Sequence, residues 1–272
     1  MKSLKKYLTN NSECLDGHIH LFDHSGYIDL SLIYDKYKCV CFADIVFKQL
    51  DMYRDKKVIS LYDNFINNYY NSKKHILLAT GITAGEIIEI YKKYPNIIKG
   101  FGELKCYSEF DGGKLPYADL TWIKPLLEFN KELNLPVYIH YELANDKYCK
   151  VFKDILSEYP KMPIVLCHCG MIDDKTKNAD IHSYILSLMN KFDNLYLDIS
   201  TCKTRQFYLD NLNYLMQLNF NRVITGSDIN PIAKKSNIFN DDKKFKATCY
   251  TQMNNIYKYI KCSGINRLFK LK

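Results

Sequence analysis

The chain has 272 residues, of which 47% are apolar and 25% are charged, and its formal net charge is +8. This composition is typical of a globular protein, and no apolar stretch approaches the ~18 residues that a membrane span requires. Ten cysteines are scattered without a C-x-x-C pair, which argues against a disulfide framework. Because lysine is spread along the whole chain, the positive charge gives only a weak indication of an anionic partner. We therefore predict one cytoplasmic domain over residues 1–272.

Eight short β-type runs follow one another along the chain. In order they are ECLDGHIHLF, KCVCFADIVF, KHILLATGI, NIIKGFGELKCY, PVYIHYE, PIVLCHCG, NLYLDIST and RVITGSDIN. Segments of helical period separate most of them, and regular alternation of strand and helix implies parallel strands with helical crossovers. Eight such units are what a closed barrel requires. An open doubly wound sheet is the alternative, and it is disfavoured because no G-x-G-x-x-G follows the first run.

The helical segments carry start and stop signals as well as apolar spacing. Thr83 and Glu86 have the spacing of a capping box, and the helix that they begin ends before Pro95. After the eighth run, a closing helix is predicted from apolar residues at helical spacing: Tyr250, Met253, Ile256, Tyr257 and Ile260. The predicted fold class is α/β, a (β/α)8 TIM barrel with a C-terminal closing helix.

Six residues of metal-ligand type lie at the ends of predicted strands. They are His18, His20, Glu103, His140, His168 and Asp228. Residues two apart on a strand point to the same face, so the imidazoles of His18 and His20 project together. The carboxyl ends of barrel strands form one rim, where the active sites of this fold lie. Because buried charge without a partner is costly, the sequence predicts a divalent metal centre at this rim.

At these six residues the chain resembles the amidohydrolase superfamily of metal-dependent barrel hydrolases. The shared pattern is H-x-H on strand one, a carboxylate or modified lysine on strand four, histidines ending strands five and six, and an aspartate ending strand eight. Within it, GFGE at 100–103 looks like the TatD-type deoxyribonucleases, whereas GSD at 226–228 looks like the branch that contains lactonases and nonoxidative decarboxylases. The residues after Glu103 depart from the TatD-type pattern, which weakens the nuclease interpretation.

The resemblance implies one or two divalent ions, zinc first, with manganese, iron or magnesium as alternatives. It also implies these ligand sets: one ion on His18, His20 and Asp228, a second on His140 and His168, and Glu103 as the bridge. Asp228 would take a proton from water, and Asp228 and His168 are the predicted catalytic residues. The implied reaction is hydrolysis of an amide, ester, lactone or phosphoester. A nonoxidative decarboxylase and a TatD-like deoxyribonuclease are the alternatives.

Two basic residues are predicted to bind a small, anionic substrate. Lys105 shares strand parity with Glu103, and a carboxylated Lys105 is the alternative strand-four ligand. Arg205 follows the seventh run, and a guanidinium can hold a carboxylate or phosphate with two parallel hydrogen bonds. Asp44 and Asp198 are weaker candidates, as residues that orient ligands. A nucleic-acid partner is less favoured, no membrane partner is predicted, and the oligomeric state is left open.

Overall fold

Eight parallel strands form one sheet in a computed structural model of the protein. The model describes residues 16–20, 22–23, 26–27, 39–42, 58–68, 70–73, 75–81, 83–106, 120–172, 177–228, 251–252, 255–256, 259 and 263–270. The strands are β1 (Asp16–His20), β2 (Cys39–Phe42), β3 (His75–Ala79), β4 (Ile98–Lys105), β5 (Val137–His140), β6 (Ile164–Leu166), β7 (Leu195–Ile199) and β8 (Val223–Thr225). Their order in the sheet is their order in the chain, which confirms the predicted α/β architecture. A separate two-residue ladder pairs Phe22–Asp23 with Gly26–Tyr27.

The described helices lie between the strands, apart from the last helix, which follows β8. They are α1 (Val58–Asn68), α2 (Ala84–Lys93), α3 (Lys124–Asn130), α4 (Asp146–Glu158), α5 (Lys177–Lys191), α6 (Cys202–Asp210), α7 (Leu212–Leu215) and α8 (Ser263–Phe269). The predicted capping box is confirmed at α2, where Thr83 Oγ1 accepts from Glu86 N at 3.2 Å and Glu86 Oε2 accepts from Thr83 N at 3.2 Å. None of the described helices has the length and hydrophobicity needed to cross a bilayer.

The strands are apolar because both of their faces are covered. On β7, Leu195 and Leu197 pack in the same hydrophobic cluster as helical residues such as Ile185 of α5, whereas Tyr196 between them belongs to a second cluster. Alternation along a strand therefore separates a helix-facing side from an inner side. The inner cluster consists of Ile76, Leu78, Tyr138, Val165, Cys167, Tyr196, Ile224, Ile265 and Leu268.

The sheet curls so that its first and last strands approach each other. Asp228 N donates to His18 O at 2.9 Å, and Asp16 Oδ1 accepts from Ser227 N at 2.8 Å. A Cβ at Gly226 would collide with the backbone nitrogen of His18, so glycine is required for this approach. These contacts bring the carboxyl ends of β1 and β8 together. The closed (β/α)8 barrel itself stays a prediction.

The inner cluster is covered at the amino ends of the strands by α8. Ile265 and Leu268 of this helix pack in the inner cluster, and Gly264 lies against the backbone of Val223, the first residue of β8. The helix predicted over 250–260 falls largely outside the described residues, including Tyr250, Met253, Tyr257 and Ile260. The described helix that fills this end of the sheet begins later, at Ser263.

Replacing Ile265 by alanine tests this packing. Ile265 is 3% exposed, so Ile265→Ala leaves a cavity in the inner cluster and should lower the free energy of unfolding by about 2 to 5 kcal/mol. Met216→Ala is the control, because this side chain is 59% exposed and its truncation should change stability by less than about 0.5 kcal/mol. Urea unfolding measures both values, and equal effects would contradict the placement of α8.

Candidate metal centre

The six predicted donor residues lie together at the carboxyl ends of the strands, and Glu103 lies at their centre. One oxygen, Oε1, is 2.7 Å from His140 Nδ1 and 3.1 Å from His168 Nε2. The other oxygen, Oε2, is 3.7 Å from His20 Nε2 and 3.9 Å from His18 Nε2. We call His18, His20 and Asp228 the first donor group, and His140 and His168 the second donor group. Glu103 faces one group with each oxygen.

The first donor group contains more acceptor atoms than its protons can satisfy. His18 Nε2 lies 3.1 Å from His20 Nε2, which also lies 3.1 Å from Asp228 Oδ1. His18 Nε2 is in turn 3.5 Å from Asp228 Oδ1. One proton on His20 Nε2 cannot be donated to both neighbours, so lone pairs converge on the same point. Imidazole nitrogens and carboxylate oxygens are suitable ligands for zinc and similar ions, and the residues present therefore fit a divalent cation.

The carboxyl groups of the centre are charged in spite of their burial. Burial acts to raise the pKa of Glu103, but nearby His140 and His168 outweigh burial and hold that pKa well below its usual range. Burial also acts to raise the pKa of Asp228, and His168 and His20 outweigh it, so this pKa is lowered too. Two carboxylates at neutral pH give the centre negative charge, which favours a divalent cation.

Two of the donor residues adopt left-handed backbone conformations. His168 lies beyond the end of β6, in the turn Cys167–Gly170, with φ 55° and ψ 22°. Asp228 follows β8 with φ 51°. Such conformations are uncommon for residues other than glycine and persist where the surrounding structure holds them. In both cases the turn directs the side chain to the centre after the regular strand has ended.

Gly102 allows Glu103 to reach the centre from β4. Its φ is +121°, and a Cβ there would lie 2.5 Å from the carbonyl oxygen of Tyr138 on the neighbouring strand β5. Only glycine adopts this conformation without strain. The GFGE segment therefore has a physical role, which is the close approach of β4 to β5 immediately before the central carboxylate.

Cys167 lies within reach of His18 and Asp198, and these three residues form another group of metal-ligand type. Burial raises the pKa of the Cys167 thiol well above its usual range, and the charge of Glu103 acts in the same direction. The Cys167 side chain also packs in the inner cluster, beneath the six donor residues.

The structure places Glu103, and not Lys105, among the donor atoms of β4. Lys105 is half-buried beside His140, which is its partner in the register of β4 and β5. Burial lowers the pKa of His140, and the positive charge of Lys105 acts in the same direction. The ammonium group is thus at the edge of the centre. Its predicted role in substrate binding stays a prediction.

The placement of Arg205 does not agree with the predicted substrate clamp. Its side chain is fully buried, with Nη1 donating to the carbonyl oxygens of Gly226 at 2.5 Å and Ser227 at 3.3 Å. Nε donates to Gln252 Oε1 at 3.4 Å. A guanidinium that is buried against backbone carbonyls does not present its two parallel donors to an incoming anion. Arg205 instead supports the two residues that precede Asp228.

Two residues at the end of β7 contact donor histidines through the ring nitrogen that does not face the centre. Asp198 Oδ2 accepts from His18 Nδ1 at 2.6 Å, and Ser200 Oγ is 2.9 Å from His168 Nδ1. The sequence indicates Asp198 as a weaker candidate and does not indicate Ser200. The signal that identifies Ser200 is its spacing of two from Asp198, which places both side chains on the inner face. Asp44 lies outside the described residues.

The protein thus has an α/β fold with a curled parallel sheet, and its histidines and carboxylates meet at the carboxyl ends of the strands. A family model described as Amidohydrolase matches residues 99–243, which is just over half of the chain. The chain therefore belongs to the amidohydrolase family, whose members are enzymes. The likeness of the strand-four segment to TatD-type enzymes is not confirmed by this match.

Solved structures with the same fold cover almost the whole chain. An amidohydrolase from Burkholderia multivorans with bound zinc is 9% identical with a TM-score of 0.61, over 94% of this chain and 96% of its own. Amidohydrolase 2 from Bifidobacterium longum subsp. infantis is 12% identical with a TM-score of 0.57, over 96% and 99%. The 2,6-dihydroxybenzoate decarboxylase from Rhizobium is 15% identical with a TM-score of 0.53, over 95% and 98%. A search of curated proteins finds no match.

Arg205→Ala should destabilise the fold, because it removes the donor from two buried carbonyl oxygens. We expect the free energy of unfolding to fall by roughly 2 to 5 kcal/mol, as for other buried polar groups that lose their partners. Arg267→Ala is the matched control, because Arg267 is exposed on α8 and its loss should cost less than about 0.5 kcal/mol. Urea unfolding compares them, and an unchanged stability of Arg205→Ala would restore the substrate clamp as its role.

Proposed function

We propose that this protein is a metal-dependent hydrolase that cleaves an amide, ester, lactone or phosphoester with water. The observation that carries the proposal is the position of Glu103, with one oxygen toward each donor group. This arrangement supports two divalent ions, zinc first. We further propose that the eight strands form a closed barrel around the inner cluster, which would place the centre at its mouth.

The proposed roles follow from the position of each side chain. The residues of the first donor group would hold one ion, those of the second donor group another, and Glu103 would contact both. A divalent cation in such a centre lowers the pKa of water and polarises a substrate oxygen. Asp228 is the proposed proton acceptor, because its side chain is 23% exposed whereas that of Glu103 is 2% exposed. Asp228 can therefore contact water and substrate at the mouth of the centre. His168, in the second donor group, is the other proposed catalytic residue.

The substrate is proposed to be a small anionic molecule. Lys105, at the edge of the centre beside His140, supplies the positive charge for this. Of the two basic residues that the sequence indicates, Arg205 is buried away from the centre. Only Lys105 is therefore placed to contact an anionic substrate. A lysine acts here as a point charge, without the fixed orientation of a guanidinium.

A nonoxidative decarboxylase is the second candidate function. It is supported by the decarboxylase from Rhizobium, which shares this fold over nearly its full length. Release of carbon dioxide from aryl carboxylates separates the two candidates, since hydrolysis of esters, amides, lactones or phosphoesters releases none. A DNA substrate belongs in the same panel as a test of the TatD-like alternative.

The purified protein should take up zinc or another divalent transition metal, to two equivalents per chain. Elemental analysis after incubation with zinc or manganese measures the content. The double variant His18→Ala/His20→Ala removes most of the first donor group and should lose about one equivalent while it stays folded, because the hydrophobic clusters lie elsewhere. No uptake by the unaltered protein would overturn the proposed function.

Asp228→Asn should reduce turnover by roughly 10² to 10⁴ while metal content falls much less, because the amide keeps the shape and loses the proton acceptor. Turnover and metal content are measured on the same preparation with whichever substrate class the panel identifies. Asp210→Asn, at the exposed end of α6, is the matched control and should change neither. Near-normal turnover of Asp228→Asn at full metal content would leave Asp228 as a ligand at most.

A further inference from the structure

The inner face of β7 ends in a carboxylate and a hydroxyl that contact histidines of both donor groups. Asp198 and Ser200 are two residues apart, and each is fully buried. His18 comes from β1 and His168 from the turn after β6, so their shared contacts join two segments of the chain that are 150 residues apart. Each histidine uses Nδ1 for these contacts and keeps Nε2 for the centre.

The directions of these hydrogen bonds are fixed by the number of protons. Asp198 Oδ2 can only accept, so His18 Nδ1 donates to it at 2.6 Å and Ser200 Oγ donates to it at 2.8 Å. The single proton of the Ser200 hydroxyl is then in use. Ser200 Oγ therefore accepts at 2.9 Å from His168 Nδ1. Both imidazoles therefore carry a proton on Nδ1. His168 Nε2 also lies 3.1 Å from Glu103 Oε1, which can only accept, so a proton on this nitrogen is one that a bound cation would displace.

We propose that Asp198, acting through Ser200, is the positioning residue that sets the tautomer of His18 and His168 together, one histidine in each donor group. Asp198 acts directly on the first group and through one hydroxyl on the second. A carboxylate that accepts from a ligating imidazole fixes the ring and makes the other nitrogen a better ligand. One buried charge on β7 thus controls the affinity of both halves of the centre.

Two substitutions separate the direct arm from the relayed arm. Asp198→Asn removes the charge that both arms depend on. The amide oxygen of the new asparagine can still accept from His18. Its NH2 group then stands where Asp198 Oδ1 was, and Oδ1 has no hydrogen-bond partner among the described residues. Ser200→Ala leaves the bond between Asp198 and His18 in place. It removes the acceptor of His168 Nδ1, the donor to Asp198 Oδ2 and a longer contact of 3.3 Å with His18 Nδ1. The two variants should therefore differ in which histidine they disturb.

Nitrogen-15 NMR of the imidazoles in metal-free protein reads the tautomers directly, at a pH well above the usual imidazole pKa. The unaltered protein should show His18 and His168 protonated on Nδ1. Ser200→Ala should change the spectrum of His168 much more than that of His18, whereas Asp198→Asn should change both strongly. Absence of a proton on Nδ1 of either histidine in the unaltered protein, or spectra that neither substitution changes, would overturn the inference.

Zinc titration against a competing chelator supplies the second readout, and only this arm rests on the proposed function. Asp198→Asn should weaken both binding steps about 10- to 100-fold, and Ser200→Ala only one of them. Asp210→Asn and Ser187→Ala, both exposed, are the matched controls and should change neither step. If the unaltered protein binds zinc and the two variants bind it equally well, the positioning role is wrong while the metal centre stands. If nothing binds zinc, the proposed function fails, and the NMR result still decides the tautomers.

Discussion

The centre depends on a carboxylate that is buried among imidazoles. Glu103 is 3% exposed, and four ring nitrogens lie within 4 Å of its carboxylate, two near each oxygen. A charge in this position is costly to bury without partners. Two of these histidines, His18 and His20, lie on β1. The other two, His140 and His168, come from the ends of β5 and β6. The remaining features of the fold hold these strand ends within a few ångströms of one another.

To bring the donor atoms this close together, the backbone near the centre adopts unusual conformations. His168 and Asp228 have positive φ, and Gly102 and Gly226 lie where a Cβ would strike a neighbouring strand. Strained positions of this kind persist only where the surroundings over-determine them. The buried guanidinium of Arg205 supplies part of this support, since it binds the carbonyl oxygens of the residues before Asp228. The packing and hydrogen bonds of the surrounding fold thus hold the donor atoms in place.

The sequence predicts the strands and the donor residues because both follow from simple periodicity. Apolar runs that are covered on both faces are recognisable as strands, and parallel strands place their carboxyl ends side by side. Arg205 shows where this reasoning stops, because charge and position along the chain contain no information on whether a side chain turns inward. Ser200 is missed for a different reason. Its spacing of two from Asp198 places it on the inner face, but its contacts with Asp198 and His168 are visible only in three dimensions.

The contact between the first and the last strand has a consequence for how the molecule folds. Asp16 binds the backbone of Ser227, 211 residues further along the chain, and Asp228 binds the backbone of His18. Contacts of such sequence separation form late, because the entropy of closing a very long loop opposes them. A partly folded chain would hold the second donor group before the first was complete. A ligand that needs both groups would thus bind only the finished fold, and it would shift the folding equilibrium toward that state.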